Sequence, residues 1–419
     1  MVWAMLGFLP FVIGPWHLMV SPLATPLWAG YVKGWDFSLL DAVALGIIFG
    51  TRGRWPKVTL LIPFLCYVAA VFISVLQAKF PNLAASYLIQ TVRILLVFLA
   101  VARITGTERG ERALLTGLIL GITVQAGYAI WARAGGALQT GGSLGHQNLL
   151  GFVSHMVLMP ALAMLLAGRW QKIALLGVVS GLVVVILTVS RATIAFSALG
   201  LGLTLMLCLA IRFTPRKAIA AVVAVVMLAA SAPLAKASLD HRFETQRTSF
   251  FAEDQERVAF EKAARAMIAD YPLGVGANHY VFVANTEGYS ERAGVNWASS
   301  SRSTNVHNTY LLINAELGYP GIFAFLALII CAIGRAFGSA IRFRNRPGSE
   351  VFIGIGCGIL VMSLHGMFEW MYVVYPTQYL FAASLGLISG MRGRMLVESG
   401  KPRVTARPSP MADAVPAFS

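Results

Sequence analysis

Charged residues are scarce in this sequence. They make up 12% of the 419 residues, where a soluble domain carries about a quarter. Hydrophobic residues make up 57% and the mean hydropathy is +0.72, which excludes a disordered chain, a coiled coil and most soluble enzymes. The few charges are unbalanced, with a formal net charge of +15 and a pI near 10.0. Such a pI is typical of nucleic-acid-binding proteins, so the position of the bases along the chain decides what they are for.

Cysteine and several catalytic motifs are also missing or rare. The four cysteines all lie within apolar runs and no CxxC pair occurs, which excludes a disulfide framework and a paired-cysteine metal site. No HExxH, GxSxG or GxxxxGK motif occurs, which excludes zinc metalloproteases, serine hydrolases and P-loop nucleotidases. We therefore expect neither a metal nor a cofactor. The first apolar stretch lacks a basic leader, so no cleavable signal peptide is expected.

Long apolar runs are what the sequence has in abundance. A helix needs about 20 predominantly apolar residues to span a bilayer. Because lipid offers no partner for backbone groups, each run is predicted to be an α-helix, which makes the fold an all-α polytopic membrane protein with about twelve transmembrane helices. The twelve predicted spans are 2–20, 36–50, 58–77, 83–103, 112–132, 149–167, 172–189, 192–211, 217–235, 309–334, 351–368 and 373–390.

Lys and Arg are distributed unevenly between the loops. The loops after even-numbered spans, together with the C-terminal tail, hold twenty of these bases, and the short loops after odd-numbered spans hold four. Basic loops stay on the cytoplasmic side, so both termini are predicted to be cytoplasmic. The excess of positive charge then marks the cytoplasmic loops, which lie beside anionic lipid. No nucleic-acid partner is expected.

One large loop interrupts the spans and lies on the outer side by this orientation. The predicted organisation is nine spans in 1–235, a loop domain in 236–308, three spans in 309–390 and a basic, disordered cytoplasmic tail in 391–419. Within the loop domain, 252–269 is rich in helix-forming residues and predicts a helix. Ser, Asn, Gly and Thr dominate 285–305, which predicts irregular chain.

Three polar side chains on the outer side are candidates for chemistry. His307 lies at the membrane boundary, where a neutral imidazole can take a proton from a hydroxyl; the alternative is a helix cap. Arg191 lies in an outer loop where bases are rare, and its guanidinium suits phosphate; the alternative is contact with lipid headgroups. Arg265 follows Glu261 by one helical turn on the loop helix, where the alternative is an ordinary surface ion pair.

A fourth candidate lies inside the membrane. Arg93 falls at the centre of the fourth span, where an arginine costs roughly 2.5–3.5 kcal/mol on insertion scales. It is therefore expected to have a partner or to line a cavity. Asn148, Asn308 and Arg302 are further candidates for substrate contacts. Asp36 and Asp41 could hold a divalent metal, but a spacing of five residues places them poorly on one helix face.

A series of motifs then follows in a fixed order. They are Gly145-His146-Gln147-Asn148, Ser190-Arg191 after a strongly apolar span, the loop helix with Arg265, Tyr271-Pro272-Leu273-Gly274-Val275-Gly276, His307-Asn308-Thr309-Tyr310-Leu311, Glu316-Leu317-Gly318 and Pro320-Gly321. Over about residues 140–325 this order resembles the O-antigen ligase and O-antigen polymerase superfamily of bacterial envelope enzymes. The most specific part is the HN-x-x-L string followed by E-L-G.

The resemblance implies a GT-C-like, metal-independent glycosyltransferase of the bacterial inner membrane, with its active site on the periplasmic side. The implied donor is a glycan linked to undecaprenyl pyrophosphate, and the implied acceptor of a ligase is a sugar hydroxyl of lipid A–core oligosaccharide. Carried onto this chain, Arg191 and Arg265 hold the pyrophosphate and His307 is the base. We expect inversion at the anomeric carbon, since no outer carboxylate is well placed as a nucleophile.

Two alternatives remain open at this stage. An O-antigen or exopolysaccharide polymerase would carry the same motifs and would use a second lipid-linked glycan as acceptor. A twelve-span transporter belongs to a different class and predicts inverted repeats with polar residues at the midplane. Only Arg93 fits that pattern, and the large outer loop would have no role in a transporter.

Overall fold

The computed structural model describes residues 1–53, 55–245 and 247–400, and these are almost entirely α-helical. Two short strands, β1 (Met19–Val20) and β2 (Phe37–Ser38), pair antiparallel beside the outer ends of the first helices. The α-helices of the described part are α1 (Val2–Phe8), α2 (Leu39–Gly50), α3 (Leu61–Gln77), α4 (Pro81–Thr105), α5 (Glu108–Ala134), α6 (Gln147–Leu166), α7 (Gln171–Leu187), α8 (Arg191–Ile211), α9 (Pro215–Thr245), α10 (Arg247–Asp270), α11 (Tyr280–Thr286), α12 (Tyr289–Ala293), α13 (Ser299–Arg302), α14 (Thr309–Arg342), α15 (Ser349–His365) and α16 (Tyr375–Gly400).

An α-helix lies at each of the twelve predicted spans. Within the described part, α4, α5, α6, α8, α14 and α16 are long and apolar enough to cross a membrane, while α2, α3, α7 and α15 are shorter apolar helices. The chain is thus an all-α, multi-pass membrane protein. Its centre is α6, whose most apolar stretch is 94% buried and which packs along α15, α7 and α8.

The first predicted span is shorter than the sequence indicates. Only α1 and a 3-10 turn at Leu9–Phe11 are helical, because Pro10 and Pro15 cannot donate the helix hydrogen bonds of a longer run. Other boundaries also differ: α9 continues to Thr245, past the predicted start of the loop domain, and α16 continues to Gly400, past the predicted start of the tail. The rest of the predicted tail, 401–419, lies outside the described residues.

The loop domain contains more regular structure than predicted. The expected helix at 252–269 is present as α10, and the helix ends where Pro272 follows it. Within the stretch predicted to be irregular, residues 289–293 and 299–302 form the short helices α12 and α13. Both are single turns stabilised by local bonds, which a composition rich in Ser and Asn does not reveal.

The ends of the helices separate into two groups. At one end, the buried carboxylate of Glu111 pairs with Arg169 and Arg394, and Lys217 pairs with Glu350 at 2.7 Å. These bases belong to the loops that the sequence predicts to be cytoplasmic. The opposite ends of α6, α8 and α14 carry the motifs named above, so the basic loops and the motif residues lie at opposite ends of the same helices.

A buried carboxylate joins the loop domain to α14. Glu316 accepts hydrogen bonds from the backbone N–H groups of Asn278 and Tyr280, each at 2.9 Å, and from the hydroxyl of Tyr31 at 2.6 Å. The Asn278 side chain in turn bonds both backbone groups of Val32. Because every donor comes from a loop, this one acid of α14 fixes two separate outer segments.

The glycines of the two neighbouring motifs allow this junction. Gly318 interrupts α14 with φ +65°, and a Cβ there would lie 2.2 Å from the backbone of Leu273. Gly274 has φ +89°, and a Cβ there would lie 2.4 Å from the carbonyl oxygen of Glu316. Around them the Tyr319 N–H donates to the carbonyl of Pro272 at 3.0 Å. The two motifs are therefore two sides of one close backbone contact.

We predict that Gly318→Ala destabilises the protein by about 1–3 kcal/mol, since alanine disfavours positive φ and its methyl group has no room. The measurement is the apparent melting temperature of the purified protein in detergent. Gly334→Ala is the matched control, because Gly334 lies in the same helix with nothing within 4 Å of a built Cβ. Equal melting temperatures for the two variants would contradict this account of the junction.

Candidate active site

A cavity of about 690 Å³ opens between the outer ends of the helices and the loop domain. Its walls come from five stretches that are far apart in the sequence, within 146–148, 190–196, 256–260, 300–307 and 368–369. Four of these stretches overlap one of the sequence motifs described above or lie within a few residues of one. The fifth, 368–369, does not. The cavity therefore brings most of those motifs together at one edge of the predicted membrane region.

Helix N-termini supply three sides of this region. His146 caps α6, its Nδ1 accepting from the Asn148 N–H at 3.2 Å, and Ser190 caps α8, its hydroxyl accepting from the Thr193 N–H at 3.4 Å. Asn308 caps α14, next to His307 in the cavity wall. The N-terminal end of a helix carries partial positive charge, so three such ends favour an anion nearby.

Glu369 is the centre of the site. Its carboxylate lies between α15 and α16, is 2% exposed, and accepts from the Asn148 amide at 2.5 Å, from Arg257 at 3.3 Å and from Nδ1 of His307 at 3.3 Å. Its own carbonyl oxygen accepts from the hydroxyl of Thr309 at 2.7 Å. One buried acid thus holds side chains of α6, α10 and the start of α14.

The charge state of Glu369 follows from these contacts. Burial by itself raises the pKa of this carboxyl, but the hydrogen bond and charge of His307 and the charge of Arg257 outweigh burial and hold the pKa below the ordinary glutamate value. Glu369 is therefore ionised at neutral pH. Since a carboxylate only accepts, the Nδ1 of His307 carries the proton in this pair.

This pairing decides what His307 can do. In the neutral imidazole with Nδ1 protonated, the free lone pair is on Nε2, the nitrogen on the other side of the ring. The side chain is 24% exposed and lines the cavity, with the ring of Phe260 at 6.0 Å. The arrangement is that of a base oriented by an acid, able to remove a proton from a group bound in the cavity.

Two arginines and a second acid also line the cavity. Arg191 begins α8, and Arg257 lies on α10 with Nη1 donating to the carbonyl of Phe368 at 3.1 Å. Glu256 is the second acid, and its Oε1 is buried with no hydrogen-bond partner in the described part of the chain. Burial lowers the pKa of His146, so that imidazole is uncharged at neutral pH. The site thus combines fixed cations with groups that accept hydrogen bonds from hydroxyls.

The predicted residues do not all meet in this cavity. His307, Arg191 and Asn148 line it, whereas Arg265 does not. Arg265 lies eight residues after Arg257, about 12 Å farther along α10, where it is mostly exposed and pairs with Glu261 at 3.3 Å. The contacts of Arg265 are therefore those of an ordinary surface ion pair.

Arg93 has the partner that its position demands. Its guanidinium lies 2.7 Å from the carboxylate of Asp41 and also contacts the hydroxyl of Tyr379, all of them buried. Asp36 bonds instead to Ser21, so the two acids considered as a metal pair face different partners. Within residues 1–53, 55–245 and 247–400, no three His, Cys, Asp or Glu side chains are grouped as metal ligands.

The two remaining candidates contact the protein itself. Asn308 accepts from the backbone N–H groups of Tyr310 and Leu311, at 3.0 and 3.1 Å, and so works as a helix cap. The guanidinium of Arg302 lies 4.0 Å from the ring centroid of Trp297. Neither side chain borders the cavity.

Sequence reasoning missed three residues of the site. Arg257 and Glu256 are two among several charges on α10, and helical periodicity alone does not show which of them face inward. Glu369 had a signal, because it is a lone acid between two apolar runs on the predicted outer side. Glu256 and Glu369 both line the cavity, so two carboxylates lie close to His307; the prediction that none is placed as a nucleophile stays a prediction.

Fold and site together define a class: a polytopic helical membrane protein with a cationic, histidine-containing cavity at the helix ends opposite the basic loops. Residues 176–326 match the family model described as O-antigen ligase, so this part of the chain is similar to that domain. The match covers just over a third of the chain and confirms the resemblance drawn from the motifs. It also supports an enzyme. No curated protein matches the chain.

We predict that Glu369→Ala destabilises the protein by about 1–3 kcal/mol, because Asn148, Arg257 and His307 lose their shared acceptor inside a buried site. The measurement is again the apparent melting temperature. Glu261→Ala is the control, since its exposed pair with Arg265 contributes little. A Glu369→Ala protein as stable as the control would show that the carboxylate does not hold the site together.

Proposed function

We propose that the protein is an O-antigen ligase, which transfers a glycan from undecaprenyl pyrophosphate to a sugar hydroxyl of lipid A–core oligosaccharide. The observation that carries this proposal is the cavity in which His307, oriented by Glu369, shares the walls with Arg191 and Arg257. The family match at residues 176–326 supports the same reaction class.

The topology in this proposal has twelve spans, both termini in the cytoplasm and the cavity on the periplasmic face of the inner membrane. Its support is the separation of the two helix ends: the Arg169, Arg394 and Lys217 pairs lie at one end and the cavity at the other. By the positive-inside rule the basic end is cytoplasmic. α10 to α13 then form the periplasmic loop domain over the cavity, in a GT-C-like architecture.

The reaction assigns a step to each group. The acceptor hydroxyl oxygen attacks the anomeric carbon of the donor while Nε2 of His307 takes the hydroxyl proton. The bond between that carbon and the pyrophosphate oxygen breaks, and the bonding electrons leave with the pyrophosphate. Glu369 stabilises the imidazolium that forms, because its negative charge lies against Nδ1. Such a positioned base contributes on the order of 10²–10⁴-fold in rate.

Negative charge grows on the leaving pyrophosphate, and fixed cations must stabilise it. Arg191 and Arg257 line the same cavity from two different helices, so we assign the pyrophosphate to this pair. Arg257 thereby takes the role that the resemblance gives to Arg265, which lies about two helical turns farther along α10. The N-terminal ends of α6 and α8 add positive potential. The proposed transfer is metal-independent, since the two guanidinium groups supply the charge.

A single displacement of this kind inverts the anomeric carbon. Retention would need a carboxylate to attack first and form a glycosyl-enzyme intermediate. Glu369 is unsuited to that role because its oxygens are engaged by three donors. Glu256 has an unpartnered oxygen, which we assign to a hydrogen bond from a sugar hydroxyl.

The first test combines the acceptor with the base. Purified wild-type protein, given lipid-linked glycan and lipid A–core, is expected to attach glycan to the core sugar, and His307→Ala is expected to lower that rate by roughly 10²–10⁴-fold. Exposed His17 lies away from the cavity, so His17→Asn is the control. Growth of the lipid-linked glycan with no attachment to core would instead indicate a polymerase, and full activity of His307→Ala would contradict the mechanism.

The second test separates the two arginines of α10. Arg257→Ala is expected to lower transfer by roughly 10²–10³-fold, as loss of one charge-stabilising donor does elsewhere, with partial recovery in Arg257→Lys. Arg265→Ala removes the same side chain from the same helix and is expected to retain activity, because that group is exposed and paired with Glu261. The reverse pattern would return the pyrophosphate role to Arg265.

A further inference from the structure

An indole side chain stands out from the loop domain beside the cavity. Trp297 is 73% exposed, although tryptophan is normally among the most buried of side chains by area. Its neighbours Asn296, Ser299 and Ser300 are exposed and polar. The exposed indole is therefore not the edge of an apolar patch, and its exposure calls for another explanation.

The indole is held in place from one side. The guanidinium of Arg302 lies 4.0 Å from the ring centroid, and this group is itself fixed by bonds to the carbonyls of Val295 at 2.9 Å and Asn296 at 3.1 Å. The backbone carbonyl of Arg302 accepts from the Asn285 amide at 2.7 Å, which ties α13 to α11. One face of the ring is thus covered by a cation, and the opposite face is open.

The position of this ring relative to the cavity follows from the chain. Ser300, Ser301 and Thr304 line the cavity, and they begin three residues after Trp297. The N–H of Ser301 bonds back to the carbonyl of Ala298 at 3.1 Å, so the segment is a tight turn. Trp297 does not itself line the cavity, but it lies three residues along the chain from the cavity wall at Ser300.

We propose that Trp297, backed by Arg302, is a saccharide-binding platform next to the cavity wall at Ser300. This inference rests on the proposed function and adds a subsite for the glycan, one or more sugar rings from the anomeric carbon. A sugar ring presents C–H groups on its faces and hydroxyls at its edge. A rigid indole offers a flat apolar surface at little entropic cost, while the nearby serines bond the hydroxyls.

The same ring could instead rest in the membrane interface, where tryptophan is common. Its surroundings favour the saccharide: an interfacial anchor has apolar neighbours, whereas Trp297 is flanked by Asn296 and serines. Both substrates carry sugar chains, so the platform could bind the glycan of the donor or the core sugars of the acceptor. The experiment separates these two sources.

The test measures KM for donor and acceptor with the purified full-length protein in nanodiscs. Trp297→Ala is expected to raise one KM by about tenfold, the cost of losing one well-placed aromatic contact, with kcat unchanged. A raised donor KM assigns the platform to the donor glycan, and a raised acceptor KM assigns it to the core. Trp297→Phe is expected to recover most of the loss. The control is Trp131→Ala, an equally exposed indole (76%) at the end of α5, away from the cavity.

Binding of a soluble oligosaccharide cut from either substrate is the readout that does not depend on transfer. Saturation-transfer NMR is expected to detect it with wild-type protein and to lose most of it with Trp297→Ala. Unchanged KM values and unchanged oligosaccharide binding in Trp297→Ala overturn the platform while leaving the ligase proposal intact. Lower stability in lipid without any change in KM or binding also overturns it, in favour of a membrane anchor. A wild-type protein that binds the oligosaccharide through Trp297 but transfers nothing supports the platform and counts against the ligase.

Discussion

The buried carboxylate of Glu369 is the contact on which the site depends. It lies between α15 and α16 yet bonds side chains from α6, α10 and the segment that leads into α14, so elements far apart in the sequence meet at one acid. An ionised carboxylate in a buried position is unfavourable unless several donors surround it, and here the donors are the groups that the chemistry needs. The contacts that hold the site together therefore also orient the proposed base.

A second acid plays the corresponding part for the loop domain. Glu316 binds the backbone at Asn278 and Tyr280 and the hydroxyl of Tyr31, and the glycines beside it allow α14 and the loop to touch. This junction fixes the end of α10 relative to α14. Arg257 is on α10 and His307 lies just before α14, so this junction joins the two elements that carry the proposed phosphate ligand and the proposed base.

The sequence predicted the helices well and the site in part. Apolar runs fix where helices form in a chain that must satisfy its backbone in lipid, so each of the twelve runs contains a helix, although the proline-interrupted first run is helical only in its first part. His307 and Arg191 were predictable because a polar residue next to an apolar run is conspicuous. The resemblance pointed to Arg265, and Arg257, another base on the same helix, was not singled out, because only packing shows which turn faces the cavity. Glu369 needed the three-dimensional fold, since its donors are 62 to 221 residues away.

The central claim is that the pyrophosphate of a lipid-linked donor binds between Arg191 and Arg257, within reach of His307. The most direct measurement is a cryo-electron microscopy structure of the protein in nanodiscs with undecaprenyl pyrophosphate bound. The account predicts density for both phosphates in the 690 Å³ cavity, contacting these two arginines, with the lipid tail leaving toward the bilayer. Phosphate density at Arg265, or anywhere outside this cavity, would contradict it.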